Sequence, residues 1–365
     1  MIRILLGGSP CTFWSIAQKN NRETEASGMG WELFKNYLIA KEKFKPHYFL
    51  YENNVSAAQP IKDQIKRELG VWDGTFLMPY SDVRYIEINS ALVSAQNRER
   101  FYVHNCGEVQ HPKDRGILLR DVLDSGLTDK DKAYCLKHQA GNARDYFKKH
   151  HTNIALEQIP VNVAKNGKSQ TIKAQDVKTG RVNICCYTST FGASGVATQT
   201  NGVAVPFTGE GKDKESIKRV YEVKDGKITI KGKEYPIKLP DGFYIIRKLT
   251  VAECCRLQTI PAWYTMPCSD TQNYKMLGNG WTVEVIKHIL SHIPEIHGGG
   301  QPIEVLSMYD GMSCGQVALK ELGANVVKYY ATEIDKYAIQ TTQVNFPNTI
   351  QLGDAFQVRN EDWSL

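Results

Sequence analysis

The sequence predicts an α/β protein built on a mostly parallel, Rossmann-like sheet, with a small, mainly β lobe inserted into it. Three observations carry this. Residues 1–106 alternate apolar strand-like runs with helical patterns, residues 107–247 lose that alternation, and residues 248–365 recover it. Strands that alternate with crossover helices form parallel sheets, because parallel neighbours cannot be joined by a tight turn.

In the first region Ile2–Leu6 reads as a short buried strand, Trp31–Lys43 as an amphipathic helix and Tyr48–Tyr51 as a strand. Pro60–Leu69 reads as a helix and Arg98–His104 as a further strand. The middle region holds short β-like runs such as Arg181–Tyr187 and Lys227–Ile230. Its stretch Gly192–Gly211, rich in Gly, Thr and Ser, reads as a long loop. In the third region helices are expected at 251–258 and 283–293, within a segment 248–297 that completes the first half of the sheet domain. A flexible glycine linker, 298–302, follows. A fresh series then fills 303–365: strands Ile303–Met308, Val326–Thr332 and Thr349–Leu352, with helices about Gln316–Leu322 and Lys336–Asn345.

A chain of 365 residues, 42% of them hydrophobic, can bury one large core or one core and a smaller lobe. No apolar run reaches membrane-spanning length, and Ile2–Leu6 is too short for a secretory signal, so no membrane partner and a cytoplasmic location are expected. Nine cysteines, two adjacent pairs and no Cys-x-x-Cys fit neither a disulfide framework nor a zinc site; reduced thiols and no metal are expected. The net charge of +6 is uneven. Residues 107–248 hold 25 Lys+Arg against 16 Asp+Glu (+9), leaving 20 against 23 (−3) elsewhere, so the middle region is the part suited to a polyanion.

The ends of the expected strands carry the chemistry. Gly7-Gly8-Ser9-Pro10-Cys11 turns out of the first strand and leaves a cysteine where open α/β sheets present reactive groups. Glu52 closes the second strand, and Arg98 and Arg100, two apart on a strand, point to one face. A thiol, a carboxylic acid and guanidinium groups at one sheet edge suit nucleophilic attack on a polarised heterocycle, and the cations favour the thiolate. For Glu52 and Arg100 the plainer alternative is a structural ion pair. After the linker, Tyr309-Asp310-Gly311-Met312-Ser313-Cys314-Gly315 leads into a helix N-terminus, Glu333-Ile334 ends the next strand, and Asp354-Ala355 the third. Glycines for close approach, an acid for ribose hydroxyls and a carboxylate for an adenine amine describe a nucleoside-cofactor site.

Taken together, Gly8-Ser9-Pro10-Cys11, Glu52-Asn53-Asn54, Gln96-Asn97-Arg98-Glu99-Arg100, Leu249-Thr250 with Glu253, Arg256-Leu257-Gln258 and Leu277-Gly278-Asn279 resemble the motifs of the DNA cytosine-5 methyltransferases. Leu306-Ser307-Met308-Tyr309-Asp310-Gly311 and Trp281-Thr282-Val283 resemble the de novo class of that family. The likeness covers the whole chain except the basic middle. Asn54, Gly280 and Ser307 depart from the commonest family residues, and Ser307 is shared with the de novo class.

The resemblance implies a class I S-adenosylmethionine-dependent methyltransferase sheet whose motif order is circularly permuted, catalytic strands first and cofactor strands last. The middle region becomes a target-recognition domain. It also implies double-stranded DNA as partner and C5 of a flipped-out cytosine as the methyl acceptor. Cys11 would be the nucleophile, Glu52 would hold the base, Arg100 would touch the ring edge and Arg98 would support. The cofactor would be lined by Tyr309, Asp310, Gly311, Met312, Cys314, Gly315, Glu333, Ile334, Asp354, Ala355, Asn279 and Trp281. Phe13, Trp14 and Ser15 would begin a loop that closes over the base. A transfer-RNA methyltransferase and an inactive DNA-binding regulator are the alternatives. The large basic region and the retention of Cys11, Glu52 and Arg100 argue against them. A cysteine hydrolase lacks a histidine placed by motif near Cys11. The oligomeric state and the target site are not legible.

Overall fold

The structure is a computed structural model that describes residues 1–15, 22–71, 81–136, 153–159, 220–230, 232–297, 300–360 and 365. The chain divides into two compact units: residues 1–118, 132–139 and 254–365 form the first, and residues 119–131 and 140–253 the second.

The first unit is organised by β1 (Ile2–Gly7), β2 (Tyr48–Asn54), β3 (Arg84–Asn89) and β4 (Glu99–His104), joined later in the chain by β10 (Ile303–Met308), β11 (Val326–Thr332) and β12 (Ile350–Gly353). Their order in the sheet is β12-β11-β10-β1-β2-β4-β3. β4 alone runs against the other six of these strands. The central strands are buried: every residue of β10 is buried, Glu304 and Ser307 included, as are Ile4–Gly7 of β1, as a strand covered on both faces requires. The edge strand β12 is short and half-exposed.

Helices Gly28–Phe44 and Gln59–Leu69 follow β1 and β2. The first buries Trp31, Phe34, Tyr37 and Phe44 in one core with Leu5, Phe49, Tyr51, Phe101, Leu306 and Met308. The helix Val283–Leu290 buries five of its eight residues, and Cys314–Glu321 and Lys336–Asn345 connect β10, β11 and β12. The expected strands and helices are present with shifts of a few residues. Two elements were not anticipated, β3 and the helix Asp270–Asn279. Arg98 lies just before β4 rather than within it.

The second unit holds β5 (Ile154–Ile159), β6 (Val220–Lys224), β7 (Lys227–Ile230), β8 (Lys233–Pro236) and β9 (Gly242–Lys248), an antiparallel sheet in the order β5-β9-β6-β7-β8. Among its described residues, Glu253 is a fully buried charge. This carboxylate accepts from Arg247 and from the backbone N–H groups of Asp124 and Thr250. Burial raises the Glu253 pKa, but those bonds outweigh it and the value falls below normal. The expected strand Arg181–Tyr187 and loop Gly192–Gly211 lie outside the described residues.

Candidate active site

β1 ends in Gly7, which stands level with Met308 of β10 on one side and Tyr51 of β2 on the other. The turn beyond is tied to β2 by side chains. Asn53 Nδ2 donates to the Ser9 carbonyl (3.0 Å) and to the Tyr51 hydroxyl (3.1 Å), and Ser9 Oγ and Tyr51 Oη share a bond of 2.7 Å. Gly8 is required here, because a Cβ would fall 2.8 Å from the Glu52 carbonyl and 2.9 Å from Glu52 Oε2. Cys11 opens the short 3-10 turn Cys11–Phe13; its side chain lies outside the described residues.

Glu52 is gripped from two sides. Arg100 Nε meets Oε1 at 2.9 Å, and Trp281 Nε1 donates to Oε2 at 3.1 Å. Both members of the ion pair are nearly out of water, so the charges hold one another in place, and loss of either would strand the other. Arg98 takes another direction: its Nη1 donates to the Gly278 carbonyl (3.2 Å) and its Nη2 to that of Gly280 (2.8 Å). The same turn is held by Gln258 Nε2, which donates to the carbonyls of Leu277 and Gly280. Gln258 Oε1 accepts from Thr282, and Thr282 accepts from Ser90. Gln258 therefore fixes the loop that delivers Trp281 to Glu52.

On the other side of β1 the walls are built from turns. Gly311 and Tyr309 have left-handed backbones (φ 59° and 60°), and no atom lies within 4 Å of where a Gly311 Cβ would stand. Glu333 binds backbone: Oε2 accepts from Gly311 N, and Oε1 from Ile334 N and Asp335 N, each at 2.8 Å. Asp354 Oδ1 caps its own turn through Phe356 N. The Tyr309 hydroxyl donates to the Leu33 carbonyl (2.7 Å) and accepts from Asn36 Nδ2 (3.2 Å). Asp310 Oδ1 accepts from Tyr329 Oη at 2.8 Å, while its buried Oδ2 has no partner. Burial pushes this carboxyl up to about 6 despite the hydroxyls around it.

These groups line one cavity of about 420 Å³, which runs from Gly8, Glu52, Arg98 and Arg100 to Glu333 and Asp354. The chain's residues 1–295 match the sequence profile of the C-5 cytosine-specific DNA methylases. It belongs to the C-5 cytosine-specific DNA methylase family. The type II methyltransferase M1.ScrFI of Lactococcus lactis subsp. cremoris is 29% identical over 316 residues, 80% of this chain and 62% of the relative. The chain thus spans about three fifths of the curated relative it matches. Among solved structures, the crystal structure of S. pombe Dnmt2 methyltransferase is similar at 13% identity and a TM-score of 0.34, over 80% of this chain and 76% of that one.

In this family member the cavity collects most of the residues expected for catalysis and cofactor binding. Glu52, Arg98, Arg100, Asn279, Trp281, Tyr309, Asp310, Gly311, Met312, Cys314, Glu333, Ile334, Asp354 and Ala355 all line it. Ile334 is 75% exposed at its rim. Gly315 stands behind the wall, where a Cβ would meet Leu6 at 2.7 Å. Cys314 is a buried thiol pushed up to about 12, so it stays neutral. Trp14 is fully buried, its ring near Trp31 and its Nε1 donating to Glu23; Phe13 and Ser15 are half-buried. The sequence reading missed the bond from Trp281 to Glu52, the Asn36–Tyr309 link and the Asn53 tie. The adjacency of Asn53 to Glu52 was the signal for the last, since neighbours on a strand serve opposite faces. Among the described residues no helix is long and apolar enough to cross a membrane, and no cluster of His, Cys, Asp and Glu is arranged to hold a metal.

Proposed function

We propose that this protein transfers a methyl group from S-adenosylmethionine to C5 of a cytosine flipped out of double-stranded DNA, with Cys11 as nucleophile. The observation that carries the reading is the Arg100–Glu52–Trp281 constellation at the mouth of the turn leading to Cys11, in a family member. A carboxyl group held from both sides is pre-oriented to grip the N3 and N4 edge of a cytosine ring. The Cys11 thiolate would add to C6, the ring electrons move to C5, and C5 take the methyl group as its bond to the cofactor's sulfur breaks and S-adenosylhomocysteine is left. Loss of the C5 proton and expulsion of Cys11 then restore the aromatic ring.

The far end of the cavity fits the cofactor. The open space over Gly311 accepts a close-lying ligand, Glu333 Oε2 keeps one lone pair for a ribose hydroxyl, and Asp354 suits an adenine amine. Tyr309, Met312, Ile334, Asn279 and Trp281 complete the walls. S-adenosylmethionine supplies an electrophilic methyl when bound. Phe13 and Ser15 begin the loop that covers the base, with Trp14 as its buried anchor. The basic middle of the chain, most of which belongs to the second unit, would read DNA, its charge suited to phosphates. The order of motifs is a circular permutation. Its support is that β10–β12 come last in the chain yet β10 pairs directly with β1.

The test offers radiolabelled S-adenosylmethionine with duplex DNA and, separately, transfer RNA. Label is expected on C5 of cytosine in the duplex, with Cys11→Ser at least about 10³-fold slower. Label absent from DNA, or a fully active Cys11→Ser, overturns the reading.

A further inference from the structure

Both arginines of the base end converge on a sulfur that belongs to none of the motifs. Arg98 Nη1 donates to Cys135 Sγ at 3.3 Å, and Arg100 Nη2 lies 4.0 Å from the same atom. The segment bearing Cys135 is stitched to the entry of β4. Asn97 N donates to the Ala133 carbonyl, Ala133 N to that of Ala95, and Leu136 N to Gln96 Oε1 at 2.7 Å. Lys132 Nζ adds bonds to the carbonyls of Ala91, Ser94 and Ile117. Backbone ties therefore set the position of the sulfur.

Arg98 needs it. Its residue is only 3% exposed, and its other side-chain donors go to neutral carbonyls. Among the described residues no carboxylate forms an ion pair with it, whereas Arg100 has Glu52. A guanidinium removed from water is costly unless charge or full hydrogen bonding compensates. Burial opposes ionisation of Cys135, but the charges and hydrogen bonds of Arg98 and Arg100 outweigh it and hold the thiol below its ordinary value. Cys314 shows the opposite balance, burial prevailing.

We propose that Cys135 is a positioning residue of the methyl-transfer reaction: its sulfur is the counter-group of Arg98 and sets how Arg98 and Arg100 are presented to the 278–280 turn and to Glu52. This rests on the function proposed above. It assigns to Cys135 no bond to substrate or cofactor. As a thiolate the sulfur neutralises one of the two guanidinium charges; as a thiol it leaves the base end one unit more positive. The charged groups that face it are Arg98 and Arg100, with Glu52 beyond Arg100.

Two measurements test this. In steady-state methylation, Cys135→Ser removes the ionisable sulfur and should lower kcat about tenfold, with the KM for S-adenosylmethionine within about twofold. Its pH profile should also lose the Cys135 ionisation while keeping that of Cys11, and Cys135→Asp, which restores a negative charge, should recover most of kcat. Wild-type kcat and pH profile in Cys135→Ser overturn the proposal, as does failure of Cys135→Asp to exceed Cys135→Ser. The second measurement needs no methyl transfer. Iodoacetamide alkylation of the Cys135 peptide, followed by mass spectrometry across pH, should shift its midpoint upward by about one unit in Arg98→Gln. An unshifted midpoint overturns the pairing. If wild type methylates no DNA but the midpoint shifts, the functional reading fails while the pairing stands.

Discussion

The two ends of the cavity are made of different materials. At the base end the carboxylate is held by side chains: Arg100 and Trp281 grip Glu52, while Arg98 and Asn53 brace the flanking turns through backbone carbonyls. At the cofactor end, carboxylates hold backbone: Glu333 gathers three N–H groups and Asp354 caps its own turn. The first arrangement fixes direction, as a group must be fixed when charge moves during reaction. The second shapes a concave wall and leaves lone pairs for a ligand that is bound and released. On the function proposed above, one cavity would separate turnover from affinity by what each carboxylate binds.

Substitutions at the two ends should therefore move different constants. Glu52→Gln keeps the shape but strands Arg100, and kcat for DNA methylation should fall about 10²-fold or more. Its Kd for S-adenosylmethionine, read by calorimetry, should stay within a few-fold. Glu333→Gln should do the reverse, weakening cofactor binding about tenfold with little change in kcat at saturation. If either variant shifts both constants alike, the division between the ends is broken.

The smallest effect sharpens the comparison by adding stability. Asp310 has a folded value near 6, above the unfolded one, because its carboxyl is buried. Its contribution is thus complete below about pH 4 and is lost as pH rises through about 6. Asp310→Asn cannot ionise. By denaturant unfolding it should be more stable than wild type at neutral pH by on the order of 2–3 kcal/mol, and by almost nothing near pH 4. A gain of equal size at both pH values would place its origin in packing rather than in charge.

Much of this molecule is legible as sequence because strand-end chemistry is local. A glycine turn, a carboxylate and a paired arginine announce themselves within a few residues, and fourteen of the expected residues do line one cavity. What escapes is contact across long separations. Arg98 reaches carbonyls 180 and 182 residues away, and its sulfur partner sits in a stretch with no periodic pattern. Trp14 shows the same limit, since an aromatic residue in a polar stretch of sequence looks accessible until Trp31 packs near it. The antiparallel course of β4 was also hidden, because apolar alternation carries no direction.

Gly7 stands level with Met308 and with Tyr51 at once. β1 is therefore clamped between two ladders, and the turn it feeds has no freedom to slide along the strand axis. The distance from the Cys11 backbone to each wall is then a property of main-chain register, indifferent to most side-chain changes. Such a site can tolerate wide drift in its surrounding sequence, yet a single inserted residue in β1 would invert every side chain on it and put both walls out of reach together.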